Sequence, residues 1–297
     1  MSRIDEALRR ALGTPGDTAG AAPAERGARA GSLDDYPREA PASDQPRAGL
    51  SVVRPVPAPP AGKRARASAA AGDGKLVVAG GVSPLFAEQY RRLAAALYQL
   101  QANAGLKTVL VSSAVPGEGK TLTATNLALT LAESYGQRVL LVDADLRDPT
   151  VHHLLGLPGA PGLAEYLRAE AAELPIAAAS STLSLVPAGT PNGNPVAGLV
   201  SERMRGLVRQ AVGRFDWVLL DTPPVGLLPD ANLVARLADG VLFVIAAGAT
   251  PYRLVQRAIA AVEPERVIGV VLNRADQEVL PTRYYRETLA TGSRREP

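Results

Sequence analysis

The chain has 297 residues, 46% hydrophobic and 21% charged, which excludes a disordered polyelectrolyte and allows one large domain or two small ones. It has no cysteine, so a disulfide framework, a thiolate metal site and a cysteine nucleophile are excluded. The only two histidines, His152 and His153, are too few for a multi-histidine zinc site. A net charge of +3, from 32 basic and 29 acidic residues, gives no argument for a nucleic-acid partner.

Met1–Leu12 reads as a short helix with Ile4, Ala7, Leu8, Ala11 and Leu12 on one face. At this length it is either a fraying tail or a docking peptide that folds on a partner, and the spacing does not decide. Residues 13–74 hold nine prolines, nine glycines and six large apolar residues. That is too little apolar surface to offset the entropy of ordering, so a disordered linker is expected. No apolar run approaches the roughly 20 residues of a membrane span. The charged start also lacks the apolar core of a secretory signal, and both features suggest a cytoplasmic chain.

From residue 75 to 289 the pattern is alternating α and β. Apolar runs predict strands at Thr108–Val111, Val139–Val142, Leu183–Val186, Trp217–Leu220, Val241–Ile245 and Val267–Leu272. Helices are predicted at Ala87–Gln101, Thr121–Ser134, Val196–Val212, Asp230–Leu237 and Tyr252–Ala261, with His152 and His153 on a further helix after Pro149. Continuous apolar strands alternating with helices imply a doubly wound, mainly parallel α/β sheet covered on both faces. The last residues, 290–297, are expected to be a disordered tail.

Two patterns within this domain carry chemistry. Ala114–Thr121, AVPGEGKT, fits [AG]-x-x-x-x-G-K-[ST] between a strand and a helix. Gly117 and Gly119 let backbone N–H groups turn inward around phosphates, at the positive end of the following helix. Lys120 would bridge the β- and γ-phosphates, and the Thr121 hydroxyl would ligate Mg²⁺. VLLVDADLR and WVLLDTPP then place Asp143, Asp145 and Asp221 at strand carboxyl ends, where ligands of open parallel sheets bind. Asp143 and Asp145 are two apart, so one could hold a metal or its water while the other faces an acceptor.

These three segments, with LRDPTVHHLLGLPGAPGLAEYL, PAGTPNGNP and LADGVLFVIAAG, resemble the Walker A, Walker A′ and Walker B motifs and their surroundings in the bacterial tyrosine kinases. These are the P-loop autokinases of exopolysaccharide and capsule biosynthesis, and the MSRIDEAL start with its long linker is similar to the soluble, exosortase-associated type. The resemblance implies a P-loop NTPase fold and an ATP- and Mg²⁺-dependent protein tyrosine autokinase. Its nucleotide set would be Pro116, Gly117, Glu118, Gly119, Lys120, Thr121 and Leu122, with Asn273 and Arg274 beside the adenine. Thr121, Asp145 and Asp221 would hold the metal. Lys120, Asp143, Asp145 and Asp221 would form the catalytic group, with Asp143 as base toward the tyrosyl hydroxyl. The phosphoacceptors would be Tyr284 and Tyr285 of the C-terminal tail. Partners would be a membrane polysaccharide co-polymerase on a separate chain, a cognate tyrosine phosphatase and further copies of this chain, with the protein peripheral at the inner membrane through its partner.

Two other readings are a partitioning-type ATPase switch and a non-catalytic ATP-binding adaptor of a polysaccharide export machine. The partitioning and septum-positioning ATPases carry a lysine early in the phosphate loop, where this chain has Val115. Glu88, Arg91 and Ala94 stand where the tyrosine kinases often have Glu-x-x-Arg-x-x-Arg, a subunit-contact motif.

Overall fold

Runs of Val, Leu and Ile without polar interruption suit strands covered on both faces, and in the computed structural model they form one sheet whose central strands are fully buried, while the edge run Val267–Leu272 is only partly so. The structure describes residues 76–77, 82–190, 196–225 and 229–275, all within the compact unit Arg54–Pro297. The proposed N-terminal helix, the linker, Tyr284 and Tyr285 and the tail 290–297 lie outside the described residues.

The strands are β1 (Thr108–Ser113), β2 (Val139–Asp143), β3 (Ala177–Ala178), β4 (Leu183–Val186), β5 (Trp217–Asp221), β6 (Gly240–Ala246) and β7 (Val267–Asn273). They lie in the order β3-β4-β2-β5-β1-β6-β7. All pairs are parallel except β3–β4. Every residue of β1, β2, β5 and β6 is buried. β1, which feeds the glycine-rich loop, sits between β5 and β6.

The helices are α1 (Pro84–Ala104), α2 (Lys120–Tyr135), α3 (Val151–Leu155), α4 (Leu163–Leu167), α5 (Val196–Leu199), α6 (Glu202–Arg214), α7 (Pro229–Ala235) and α8 (Tyr252–Ala261). α2 is buried without a break from Thr123 to Ala132, packed between the sheet and α1. Two of its buried hydroxyls are satisfied within the helix: Thr125 and Thr130 donate to the carbonyls of Thr121 and Asn126, each at 2.8 Å. Gly136, at φ +63°, ends α2 and returns its N–H to Leu131.

The predicted helix Val196–Val212 is in fact two. It breaks at residues 200–201, where the Ser201 hydroxyl caps α6 by accepting from the Met204 N–H at 3.3 Å. Strands β1, β2, β5 and β7 run one or two residues beyond their apolar cores, because the backbone ladder continues into Ser113, Asp143, Asp221 and Asn273. That extension places polar side chains at the carboxyl edge.

Candidate active site

Register brings the acidic strand ends level. Asp143 of β2 pairs with Asp221 of β5, and Asp221 pairs with Val111 of β1. Cross-strand bonds then fix the segments beyond the strands. The Ala144 N–H donates to the Asp221 carbonyl at 2.8 Å, the Ser112 hydroxyl to the Pro223 carbonyl at 2.8 Å, and the Val225 N–H to the Ser113 carbonyl at 2.9 Å. The phosphate loop, the Asp143–Asp145 segment and the Asp221 end are therefore one construction.

Lys120 is the charge at its centre. Its ammonium donates to Asp145 Oδ2 at 2.8 Å and to the Thr121 hydroxyl at 3.1 Å. Burial alone would push this lysine down; the charges of Asp221, Asp145 and Asp143 outweigh it and hold the group above its ordinary range. Asp221 is fully buried; neither carboxylate oxygen makes a hydrogen bond of good geometry, although the Thr121 hydroxyl stands near enough to act on it. Its burial raises it to about 6, although the Lys120 charge and the Thr121 hydroxyl pull the other way. Asp143 is also fully buried. It accepts from the Asp145 and Val151 N–H groups, each at 3.2 Å. Burial first, then the Asp221 charge, raises it well above the carboxylate range. An orphaned buried carboxylate beside a hydroxyl is an all-oxygen donor pair of the kind Mg²⁺ takes together with substrate phosphates and water. Asp145, the third expected metal ligand, is here engaged by Lys120 and by the Asp148 N–H at 3.2 Å.

The loop has the polarity a phosphate chain needs. Gly117 and Gly119 take φ of +78° and +92°. Among the described residues, the N–H groups of Gly117, Glu118, Gly119, Lys120 and Thr121 have no acceptor. The Glu118 and Gly117 carbonyls, in contrast, are taken. The Asn273 amide donates to the Glu118 carbonyl at 2.8 Å, and the Arg274 guanidinium to the Gly117 carbonyl at 2.6 Å. Both side chains thus brace the loop from the end of β7. Ala114 is buried and absent from the left-handed region, so alanine serves where the pattern usually has glycine. Pro116 is exposed at the loop crest, while Leu122 packs against the core.

Two acids hold structural positions: the buried Glu118, expected only as a member of the nucleotide set, and the partly buried Glu165, which the sequence reading missed. Glu118 turns its carboxylate away from the cradle, to the Val115 and Ala246 N–H groups. Glu165 accepts from Gly162 N at 2.7 Å and Thr190 N at 2.8 Å, tying the segment after β4 to α4. Burial would push Glu165 up; the backbone donors, Thr190 first and then Gly162, overcome it and hold the group at about 2. Neither role has a sequence signal beyond an acid near glycines. The rings of His152 and His153 are 3.9 Å apart, and His152 Nδ1 is buried without a partner. Burial, then His153, lowers the pKa of His152.

Residues 109–292 match the CobQ/CobB/MinD/ParA nucleotide binding domain. Tyrosine-protein kinase YwqD of Bacillus subtilis (strain 168) is 35% identical over 193 residues, 64% of this chain and 81% of that protein. Succinoglycan biosynthesis transport protein ExoP of Rhizobium meliloti (strain 1021) is 37% identical over 205 residues, 66% of this chain but 26% of that longer protein. The kinase domain of Escherichia coli tyrosine kinase ETK superposes with a TM-score of 0.59 at 29% identity, covering 64% of this chain and 78% of that one. The described part of the chain has the sheet order, loop and acidic strand ends of a P-loop nucleotide-binding fold, and the chain belongs to the bacterial tyrosine-protein kinases within that nucleotide-binding family.

Proposed function

We propose that this kinase transfers the γ-phosphoryl group of ATP to tyrosines of its own C-terminal tail, Tyr284 and Tyr285, and thereby regulates exopolysaccharide biosynthesis. The observation that carries the reading is Asp143. It is a buried carboxylate with a raised pKa, in register with Asp221 and close enough to Lys120 to bear on its protonation. A phenol has a pKa near 10 and needs a base as it attacks, and a base serves best when its own pKa is lifted toward the working pH.

Lys120 and the five free N–H groups bind the phosphates; Lys120 leaves Asp145 to do so. Asn273 and Arg274 hold the loop at the side where the adenine would lie. Thr121 and Asp221, joined by Asp145 once Lys120 has moved, would hold Mg²⁺, which when bound neutralises phosphate-oxygen charge. A bond forms between the phenolic oxygen and the γ-phosphorus as the bond to the β,γ-bridging oxygen breaks. The phenolic proton passes to an Asp143 oxygen, and the charge left on ADP faces Lys120. By kinship with ExoP, the partner would be a membrane polysaccharide co-polymerase on a separate chain, with a tyrosine phosphatase reversing the modification and further copies of the chain accepting in trans.

Incubation with Mg-ATP and detection of phosphotyrosine tests this. Wild type should label, whereas Lys120→Met and Asp143→Asn should not. Steady phosphate release without phosphotyrosine would instead identify an ATPase switch, and nucleotide binding with neither output an adaptor.

A further inference from the structure

Glu118 lies between the two left-handed glycines of the phosphate loop, yet its side chain is only 1% exposed. One carboxylate oxygen, Oε2, accepts from the Val115 N–H at 2.8 Å. The other, Oε1, accepts from the Ala246 N–H at 3.1 Å and from the buried Thr250 hydroxyl. Among the described residues no cation pairs with it. A buried carboxylate without a counter-ion is costly, and here three donors are its compensation. Two of them are backbone N–H groups on opposite sides, which cannot rotate to become acceptors. A carboxylate satisfies both; an amide must turn its NH₂ toward one of them.

The group thus joins the loop, at Val115, to the turn after β6. That turn is itself closed by the Ala249 and Thr250 N–H groups donating to the Ala246 carbonyl. It is also fixed to β7 by the Ala247 N–H donating to the Asn273 carbonyl. We propose that Glu118 is a positioning residue that holds the phosphate loop open for nucleotide by pinning it to the Ala246–Thr250 turn. On this view Thr250, which lies outside the loop, is part of the nucleotide site. The anchor lies between the two residues where the backbone is freest to pivot. Without it the loop that carries the five free N–H groups is no longer held, and binding pays for ordering the loop again. The inference rests on the nucleotide-binding reading and deepens it.

The test is ATP affinity of the purified full chain by calorimetric titration with Mg-ATP, together with KM and kcat for phosphotyrosine formation. Glu118→Gln should weaken ATP binding about tenfold, and Thr250→Val by a smaller factor. Thr250→Ser, which keeps the hydroxyl, should restore it. KM for ATP should rise while kcat at saturating ATP stays within about twofold, since the reacting groups are untouched. The Glu118→Gln/Thr250→Val double variant should be no weaker than Glu118→Gln alone, because both act through one contact. Wild-type affinity in both Glu118→Gln and Thr250→Val would overturn the proposal while leaving nucleotide binding intact. No binding by wild type would overturn the nucleotide reading and the proposal with it. Should Glu118→Gln fail to fold, the Thr250→Val and Thr250→Ser pair decides alone.

Discussion

Asp221 should be a residue that the fold would be more stable without. It is fully buried, neither oxygen makes a hydrogen bond of good geometry, and its burial lifts its pKa from 3.8 to about 6. Each factor of ten in proton affinity is worth ~1.4 kcal/mol, so ionised Asp221 costs the folded state about 3 kcal/mol at neutral pH. The sign follows from the raised pKa. The folded chain holds this proton more tightly than the unfolded chain, so the favourable contribution is complete below about pH 3.8 and lost as pH rises through about 6. Asp221→Asn removes the charge at nearly constant shape and also relieves Asp143, whose pKa the Asp221 charge helps raise. An amide in the same pocket still lacks partners, so the expected gain is about 1–3 kcal/mol at pH 7.5 in a metal chelator. It should shrink to nothing near pH 3.8. Urea denaturation of both proteins across this range measures it. With saturating Mg-ATP the order should reverse, because only wild type gains from metal and nucleotide. If Asp221→Asn proves less stable than wild type at pH 7.5 without metal, Lys120 and the Thr121 hydroxyl already compensate the carboxylate, and the site is not held ready for a metal.

Glu165 has the opposite sign. Held at about 2 by backbone N–H groups despite its burial, it stabilises the fold above its usual 4.5 and loses that contribution as pH falls toward 2. Glu165→Gln should therefore lower the wild-type melting temperature at pH 7, and the gap should narrow under acid, as thermal scans at pH 7 and pH 3 would show. Gly119→Ala should abolish nucleotide binding, because φ is +92° there and the new Cβ would stand 2.2 Å from Asn273 Nδ2; a fluorescent ATP analogue would report the loss. Gly162→Ala should prevent folding, since its Cβ would meet the Pro187 carbonyl at 2.2 Å, and the far-ultraviolet circular dichroism spectrum should show it.

Much of the architecture was legible because burial on both faces leaves a plain mark. β4 occupies the predicted Leu183–Val186 and α8 the predicted Tyr252–Ala261. The break at Ser201 was hidden because the apolar period runs across it, although a serine followed three residues on by a helical N–H is a capping arrangement. β3, two alanines paired antiparallel with β4, has no run of large apolar residues to announce it. At the candidate site, the strand–loop–helix pattern and the strand-end acids pointed to Lys120, Thr121, Asp143, Asp145 and Asp221, and the fold brings these residues close to one another. What the pattern could not give is direction. Glu118 stands between the glycines like a phosphate contact, but its donors come from Ala246 and Thr250, 128 and 132 residues away in sequence. Asn273 and Arg274 end a strand whose position beside the loop follows only from the sheet order.

Phosphoryl transfer to the chain's own tail is tested most directly by peptide mapping with mass spectrometry after incubation with Mg-ATP. Phosphate on Tyr284 or Tyr285, absent from Lys120→Met, is the expected result. Phosphotyrosine confined to other positions, or unchanged labelling of a Tyr284→Phe/Tyr285→Phe chain, would contradict it.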